Sequence, residues 1–303
     1  MNGPRSTTAL LLALAAMAIA APFFAGDYFI GIGLTLLSWI ALTQSWTVLS
    51  GMSGYISLGH VVFYGIGGYV TVLLFGGAPL WLAVPLSGLA AALFAALVGY
   101  PVMRVRGPYF VILTFGMAEL VKFVVIDIEA KLGKFGRLLL GAPDLHTLYF
   151  AMLALAIAGT LLAILVRRSR LGYGLRAIRE DEQAAETMGV PVARFKLYAF
   201  VLSAFLPGMV GALMALRTTY FEPLPAFNPV VSFTIVTIAV IGGSDDARGP
   251  LFGSLFLVVL SELLWVNAPE FYMILLGLIL IGFVLFAPGG LCGWLKRQPR
   301  TVA

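Results

Sequence analysis

The sequence predicts an all-α membrane protein: a polytopic helix bundle of about eight to ten transmembrane helices in one domain over residues 1–303. Three observations predict it. Hydrophobic residues make up 61% of the chain and charged ones 11%, where soluble domains run at about half and about a quarter, and mean hydropathy is +1.01. The apolar runs reach the roughly 20 residues that cross a bilayer. They are continuous and rich in Leu, Ala, Ile and Gly, without the alternation of barrel strands. Peptide groups in lipid must be satisfied internally, so continuous runs of this kind are helices. Finally, the cations gather in a few segments, as insertion topology requires.

Ten spans are expected, at about 9–24, 28–49, 61–75, 80–103, 109–126, 147–166, 197–216, 229–241, 250–266 and 271–287. Arg5 precedes the first run, which contains Ala18-Ile19-Ala20. A first transmembrane helix and a cleaved secretory signal both fit this segment. Pro207 falls inside the seventh span and is expected to kink it. Asn228 then Pro229 is a helix start, an N-cap followed by proline at the first position. Gly242-Gly243 ends that segment after about thirteen residues, too few to cross upright, so a half-helix or tilted element lining a cavity is expected. Pro250 opens the next span.

Between the sixth and seventh spans lies the polar stretch 167–196, with seven cations and four acids. Placing it in the cytoplasm puts both termini there as well. Fourteen cations then lie inside (Arg5, Arg104, Arg106, Arg167, Arg168, Arg170, Arg176, Arg179, Arg194, Lys196, Arg248, Lys296, Arg297 and Arg300). Only four lie outside: Lys131, Lys134, Arg137 and Arg217. That asymmetry obeys the positive-inside rule. Within the stretch, Leu175 to Met188 reads as one short helix, with Gly189 as its left-handed C-cap and Pro191 just beyond. Arg176, Arg179, Glu180, Asp181, Glu182 and Glu186 make a polar face, and Leu175, Ile178, Ala185 and Met188 an apolar one. A helix of this kind, lying parallel to the membrane, can lodge in a groove on a cytoplasmic partner and transmit movement. A solvated loop that only enforces topology is the plainer reading.

Glycines crowd residues 51–68, among them Gly51, Gly54, Gly59, Gly65, Gly67 and Gly68. Glycine permits both close helix approach and broken backbone in lipid. One reading is a helix break lining a path, with Ser53, Ser57 and His60 supplying polar groups and Phe63, Tyr69 and Phe115 apolar walls; the other is tight packing alone. Glu119 and Lys122 are three apart and can pair on one helix. Glu262 lies deep in its span and must face protein or water.

Several of these blocks carry a family resemblance. Residues 174–215, GLRAIREDEQAAETMGVPVARFKLYAFVLSAFLPGMVGALMA, resemble the cytoplasmic loop and following helix of LivM-type permease subunits of ABC importers for branched-chain amino acids. Gly54-Tyr55-Ile56-Ser57-Leu58-Gly59-His60, on through Phe63, Gly65 and Gly67-Gly68-Tyr69, resembles the family's glycine-rich block. Arg106-Gly107-Pro108-Tyr109-Phe110, with Thr114, Gly116, Glu119 and Lys122, resembles its central block. Gly242-Gly243, Gly249-Pro250, Gly253, Glu262 and Pro288-Gly289-Gly290-Leu291 resemble its C-terminal one. The resemblance covers roughly residues 28–293. It departs at Ser244–Arg248, more charged than the family's turn, and at Gly133–Pro143, which lacks the glycine, proline and asparagine pattern. It implies the following assembly: a second homologous permease subunit, two cytoplasmic ATPase subunits that use ATP and magnesium, an external or periplasmic binding protein, and a small-molecule substrate. The expected location is the bacterial inner membrane.

Other chemistries are poorly supplied. With Cys292 alone there is no intrachain disulfide, and the chain has only His60 and His146 for imidazole ligands, so no cofactor or metal is expected on this chain. None of its five lysines sits in a phosphate-binding loop, so ATP hydrolysis belongs to another chain. A net charge of +5 reflects the cytoplasmic loops and is no nucleic-acid signal. Gly51-Met52-Ser53-Gly54 resembles the serine motif of intramembrane proteases, with His60 or His146 as base. Two transport readings compete with the amino-acid importer: an ion-coupled carrier using Glu119 or Glu262, and a permease for urea, short amides or small carboxylates.

Overall fold

A computed structural model describes residues 16–24, 26–133, 136–139, 141–218, 220–243 and 247–267, with residues 274, 277, 278, 281 and 282 beyond them. The described residues are almost wholly helical. Residues 16–24 form the described part of α1. Then come α2 (Asp27–Trp46), prolonged by a π-helical turn at Thr47–Gly51, α3 (His60–Leu74), α4 (Leu80–Val102), α5 (Pro108–Lys131) and α6 (Leu145–Arg168). Two short helices follow, α7 (Arg170–Glu180) and α8 (Glu182–Thr187). The chain returns through α9 (Val192–Arg217), the single turn α10 (Pro223–Ala226), α11 (Val230–Gly242) and α12 (Gly249–Asn267). A two-residue antiparallel ladder pairs β1 (Arg137–Leu138) with β2 (Tyr220–Phe221).

Among the described residues, seven segments are long and apolar enough to cross a membrane: α2 with its π turn, α4, α5, α6, α9, α10 with α11, and α12. This is a multi-pass membrane protein. α3, at 15 residues, is shorter than a span. Expected span 61–75 is this short α3, expected span 9–24 is described only from residue 16, and expected span 271–287 falls largely outside the described residues, so seven of the ten expected spans are counted. The expected half-helix at 229–241 gains α10, and the two together reach 20 residues. Its cap forms as expected, with the Val230 N–H donating to Asn228 Oδ1 at 3.0 Å.

The core is a three-helix seam of α3, α4 and α9, with α2 and α6 packed beside it. Lipid offers no hydrophobic drive between helices, so backbones must approach closely to gain dispersion and hydrogen bonding. Here small residues permit it. A Cβ at Gly67 of α3 would stand 1.9 Å from Gly208 O of α9, and one at Gly211 would stand 1.9 Å from Tyr64 O. On the other side of α9, a Cβ at Gly208 would meet Ala91 of α4 at 2.7 Å. Pro207 sits within α9 without ending it. By contrast α5 leans on the bundle through few residues and leaves Ile112, Leu120 and Phe123 on its outer side.

Candidate functional site

Three features stand out: a broken helix, the polar loop beside it, and a cavity at the opposite end of the bundle. The break follows α2. The π turn at Thr47–Gly51 leads to non-helical residues 54–58 before α3 begins at His60. Gly54 adopts φ +76°, a left-handed conformation that side-chain-bearing residues avoid. Non-helical backbone inside a membrane protein must be satisfied by its neighbours, and hydroxyls do this here. Ser50 Oγ accepts from the Ser57 N–H at 3.2 Å, and the Trp46 indole donates to Ser57 O at 2.9 Å. Thr114 Oγ1 of α5 accepts from the Leu58 N–H at 3.1 Å. Ser232 of α11 donates to Leu58 O at 2.7 Å and accepts from the Val61 N–H at 3.1 Å.

The loop lies against this break. One helix was expected from Leu175 to Met188; there are two, split at Asp181. The Asp181 carboxylate accepts from the Gln183 and Ala184 N–H groups at 2.8 and 2.9 Å and so caps α8. This competes with continuing α7. Ser169 caps α7 in the same way through the Gly172 N–H. Gly189 ends α8 at φ +86°, with the Val190 N–H donating to Ala185 O in a Schellman closure. α7 is strongly amphipathic: Gly172, Gly174, Leu175 and Ile178 are buried against the bundle, as is Ala185 of α8. Glu180, Asp181, Glu186 and Met188 face outward.

Glu182 does not join that outward face. Its carboxylate accepts a hydrogen bond from the Tyr55 hydroxyl in the break. It also pairs at 3.1 Å with Lys196 of α9 and at 3.1 Å with Arg106 in the α4–α5 connection. Lys196 is buried, its ammonium 4.4 Å from the Tyr55 ring centroid. Burial alone would raise the Glu182 pKa. The hydrogen bonds from Tyr55 and Lys196 and the charges of Lys196 and Arg106 outweigh it and hold the carboxyl below the usual range. Arg179 grips the other side of the break, donating to Gly51 O at 3.0 Å while its stem lies over Gly54. Arg176 stays within the loop region, donating to Gly172 O and Arg167 O at 3.2 Å.

At the opposite end, α2, α9, α10, α11 and α12 enclose a cavity of about 770 Å³. Asp27, Glu262 and Arg217 bring both signs of charge to it; Thr35, Thr234 and Ser261 bring hydroxyls; Trp39, Val231 and Leu257 bring apolar wall. Arg217 is anchored to Thr35 Oγ1 at 2.8 Å, and the Tyr28 hydroxyl donates to Glu262. A pocket so lined can receive a small zwitterion with an aliphatic tail.

Of the residues expected along a path, only Glu262 lines this cavity among those described. Ser53 donates to Leu49 O at 2.7 Å, and Ser57 Oγ accepts from the Gly59 N–H, so both serve the break. Thr114 does too. Phe63 is wholly buried, stacked edge-on against Phe200 of α9 at 5.3 Å. His60 is equally buried, packs on Phe63, and neither ring nitrogen has a hydrogen-bond partner. The serine-protease reading finds no dyad between Ser53 and His60 here: the Ser53 hydroxyl donates to Leu49 O and neither His60 ring nitrogen bonds to it. Gly65 faces the Phe227 ring, Gly68 faces Gly211 O and Phe221, and Gly59 faces Met117 and Thr114, so these glycines serve packing. Phe115 meets Phe233 of α11 at 6.1 Å. Glu119 and Lys122 pair with each other on α5. Tyr69 donates to Glu129, a buried carboxylate that also pairs with Arg137 at 3.0 Å and ties β1 to α3 and α5. Sequence reasoning misses Asp27, Thr35, Arg217 and Glu129. Arg217 alone leaves a signal, a cation on the side of the membrane where cations are scarce.

A bundle of membrane-spanning helices with a satisfied break, an amphipathic loop on one end and a polar cavity at the other is a solute-translocating membrane subunit. The family model described as branched-chain amino acid transport system / permease component matches residues 29–284, and the chain belongs to that family. It is 30% identical to the high-affinity branched-chain amino acid transport system permease protein LivM of Escherichia coli, over 95% of this chain and 75% of that one. It is 25% identical to the corresponding permease protein LivH of Salmonella typhimurium, over 86% and 93%. A shorter match, 30% identical over 40% and 38%, is to the L-arabinose ABC transporter permease protein AraH of Azospirillum brasilense. No solved structure matches it. The chain is thus a LivM-type permease component of an ABC importer, and its relatives are transport subunits rather than enzymes.

Proposed function

We propose that this chain forms one side of a translocation path for branched-chain or related small amino acids in the bacterial inner membrane, with loop 167–196 and both termini in the cytoplasm. A homologous permease subunit forms the other side. Two cytoplasmic ATPase subunits hydrolyse magnesium-ATP and engage α7 and α8, and an external binding protein delivers the substrate. The observation that carries the reading is the construction of α7 and α8. Their apolar side is built into the bundle, and Glu180, Asp181, Glu186 and Met188 are left facing outward, as a lever needs to be. The opposite cavity supports the substrate class. Carboxylates answer an ammonium group, Arg217 a carboxylate, and Trp39, Val231 and Leu257 a branched tail, which urea and short amides do not carry.

Uptake of radiolabelled leucine by proteoliposomes holding the assembled complex tests this. Uptake is expected only with binding protein outside and ATP inside, unchanged by a protonophore or a sodium ionophore. Uptake that needs no ATP and collapses with the ionophores would make the protein an ion-coupled carrier.

A further inference from the structure

We infer that Glu182 is a positioning residue, a joint through which movement of the loop reaches the broken backbone after α2 and, through Ser232, the cavity-lining helix α11. The inference deepens the proposed function and rests on it.

The geometry is a continuous series of contacts. The loop holds the break from both sides: Arg179 at Gly51 O, 3.0 Å, and Glu182 at the Tyr55 hydroxyl. Past Gly54, whose N–H still closes the preceding turn on Ser50 O at 3.0 Å, residues 55–58 have no helical ladder of their own. Their attachments are side chains: the Trp46 indole and Ser50 hydroxyl before them, and single hydroxyls on two other helices, Thr114 on α5 and Ser232 on α11. α11 in turn presents Val230, Val231, Thr234 and Thr237 to the cavity. A regular helix moves as a unit and resists local shear. A break held by individual side-chain bonds can exchange partners at small cost. Glu182 also holds Lys196 of α9 and Arg106 before α5, and the Tyr55 ring packs edge-on against Phe110 at 5.3 Å at the start of α5. One carboxylate therefore sets the loop's position relative to the break, the central helix α9 and the start of α5.

A purely structural role would show itself as lost stability, so the test separates the two. Glu182→Gln alone leaves Lys196 buried without its acid; Glu182→Gln with Lys196→Gln removes both charges. The assembled complex in proteoliposomes is measured for thermal midpoint, ATP hydrolysis and leucine uptake. The double variant is expected to keep a midpoint near that of the wild type while uptake per ATP hydrolysed falls at least tenfold. Tyr55→Phe, which keeps the ion pairs, is expected to lose uptake per ATP to a similar degree. Adding Tyr55→Phe to the double variant should cost little more, since both cut the same joint. Uptake per ATP within twofold of wild type in Tyr55→Phe, or in a stable double variant, overturns the inference. If the wild-type complex itself takes up leucine without ATP, the proposed function falls instead, so the two failures are distinguishable.

Discussion

A carboxylate that accepts from a tyrosine and pairs with a lysine and an arginine is held in its charged form. The folded pKa of Glu182 lies below its ordinary 4.5, so its contribution to loop docking is fully present above that value. It is lost as pH falls through the depressed folded pKa. Hydrogen exchange in α8, corrected for the intrinsic pH dependence of amide exchange, is therefore expected to be flat from pH 8 to 5 and to rise only in stronger acid, while Glu182→Gln shows no such acid step. A rise centred near pH 6 would mean that the carboxylate is not held as described. Sequence misplaces this residue for a physical reason. Periodicity puts Glu182 with its acidic neighbours, but its partners Tyr55 and Arg106 stand 127 and 76 positions away (182 − 55 and 182 − 106). Only the fold brings them together.

At the scale of elements, spans were legible because lipid imposes length and hydropathy on each one separately. The loop was legible too, because polar residues between apolar runs have to lie in water. The role of the glycines was not, since close packing and broken backbone leave the same residue in the sequence. The structure separates them, with Gly54 at a left-handed turn and Gly67 at a backbone contact. This gives a graded expectation. Gly67→Ala puts a methyl 1.9 Å from Gly208 O and should destabilise the α3–α9 seam by about 1–3 kcal/mol or more. Gly59→Ala presses on the end of the flexible Met117 side chain, at 2.9 Å, with Thr114 at an ordinary contact distance of 3.5 Å, and should cost under about 1.5 kcal/mol. Thermal unfolding of the two variants in detergent checks the order, and equal midpoints would contradict it. The split at Asp181 is a further case. Helix formers on both sides favour one helix, yet a carboxylate that can cap two N–H groups favours starting another.

At the scale of the whole molecule, the two ends of the bundle are built differently. One end holds a cavity with both signs of charge; the other holds the amphipathic α7 and α8 with the break after α2 against them, and the α3–α9 seam lies between. Composition made the membrane bundle readable, and the cation asymmetry is what the proposed orientation rests on. The cavity was hidden because Asp27, Arg217 and Glu262 lie far apart along the chain. The central claim is that α7 and α8 face the cytoplasm and bear on an ATPase. A single cysteine at the exposed Met188, with Cys292 changed to serine, tests it most directly. A membrane-impermeant maleimide is expected to label that cysteine in inside-out vesicles and not in right-side-out ones, and a short cross-linker to join it to the ATPase subunit with a yield that changes when nucleotide binds. Labelling from the outside, or no cross-link in an assembled complex that transports normally, would contradict the account.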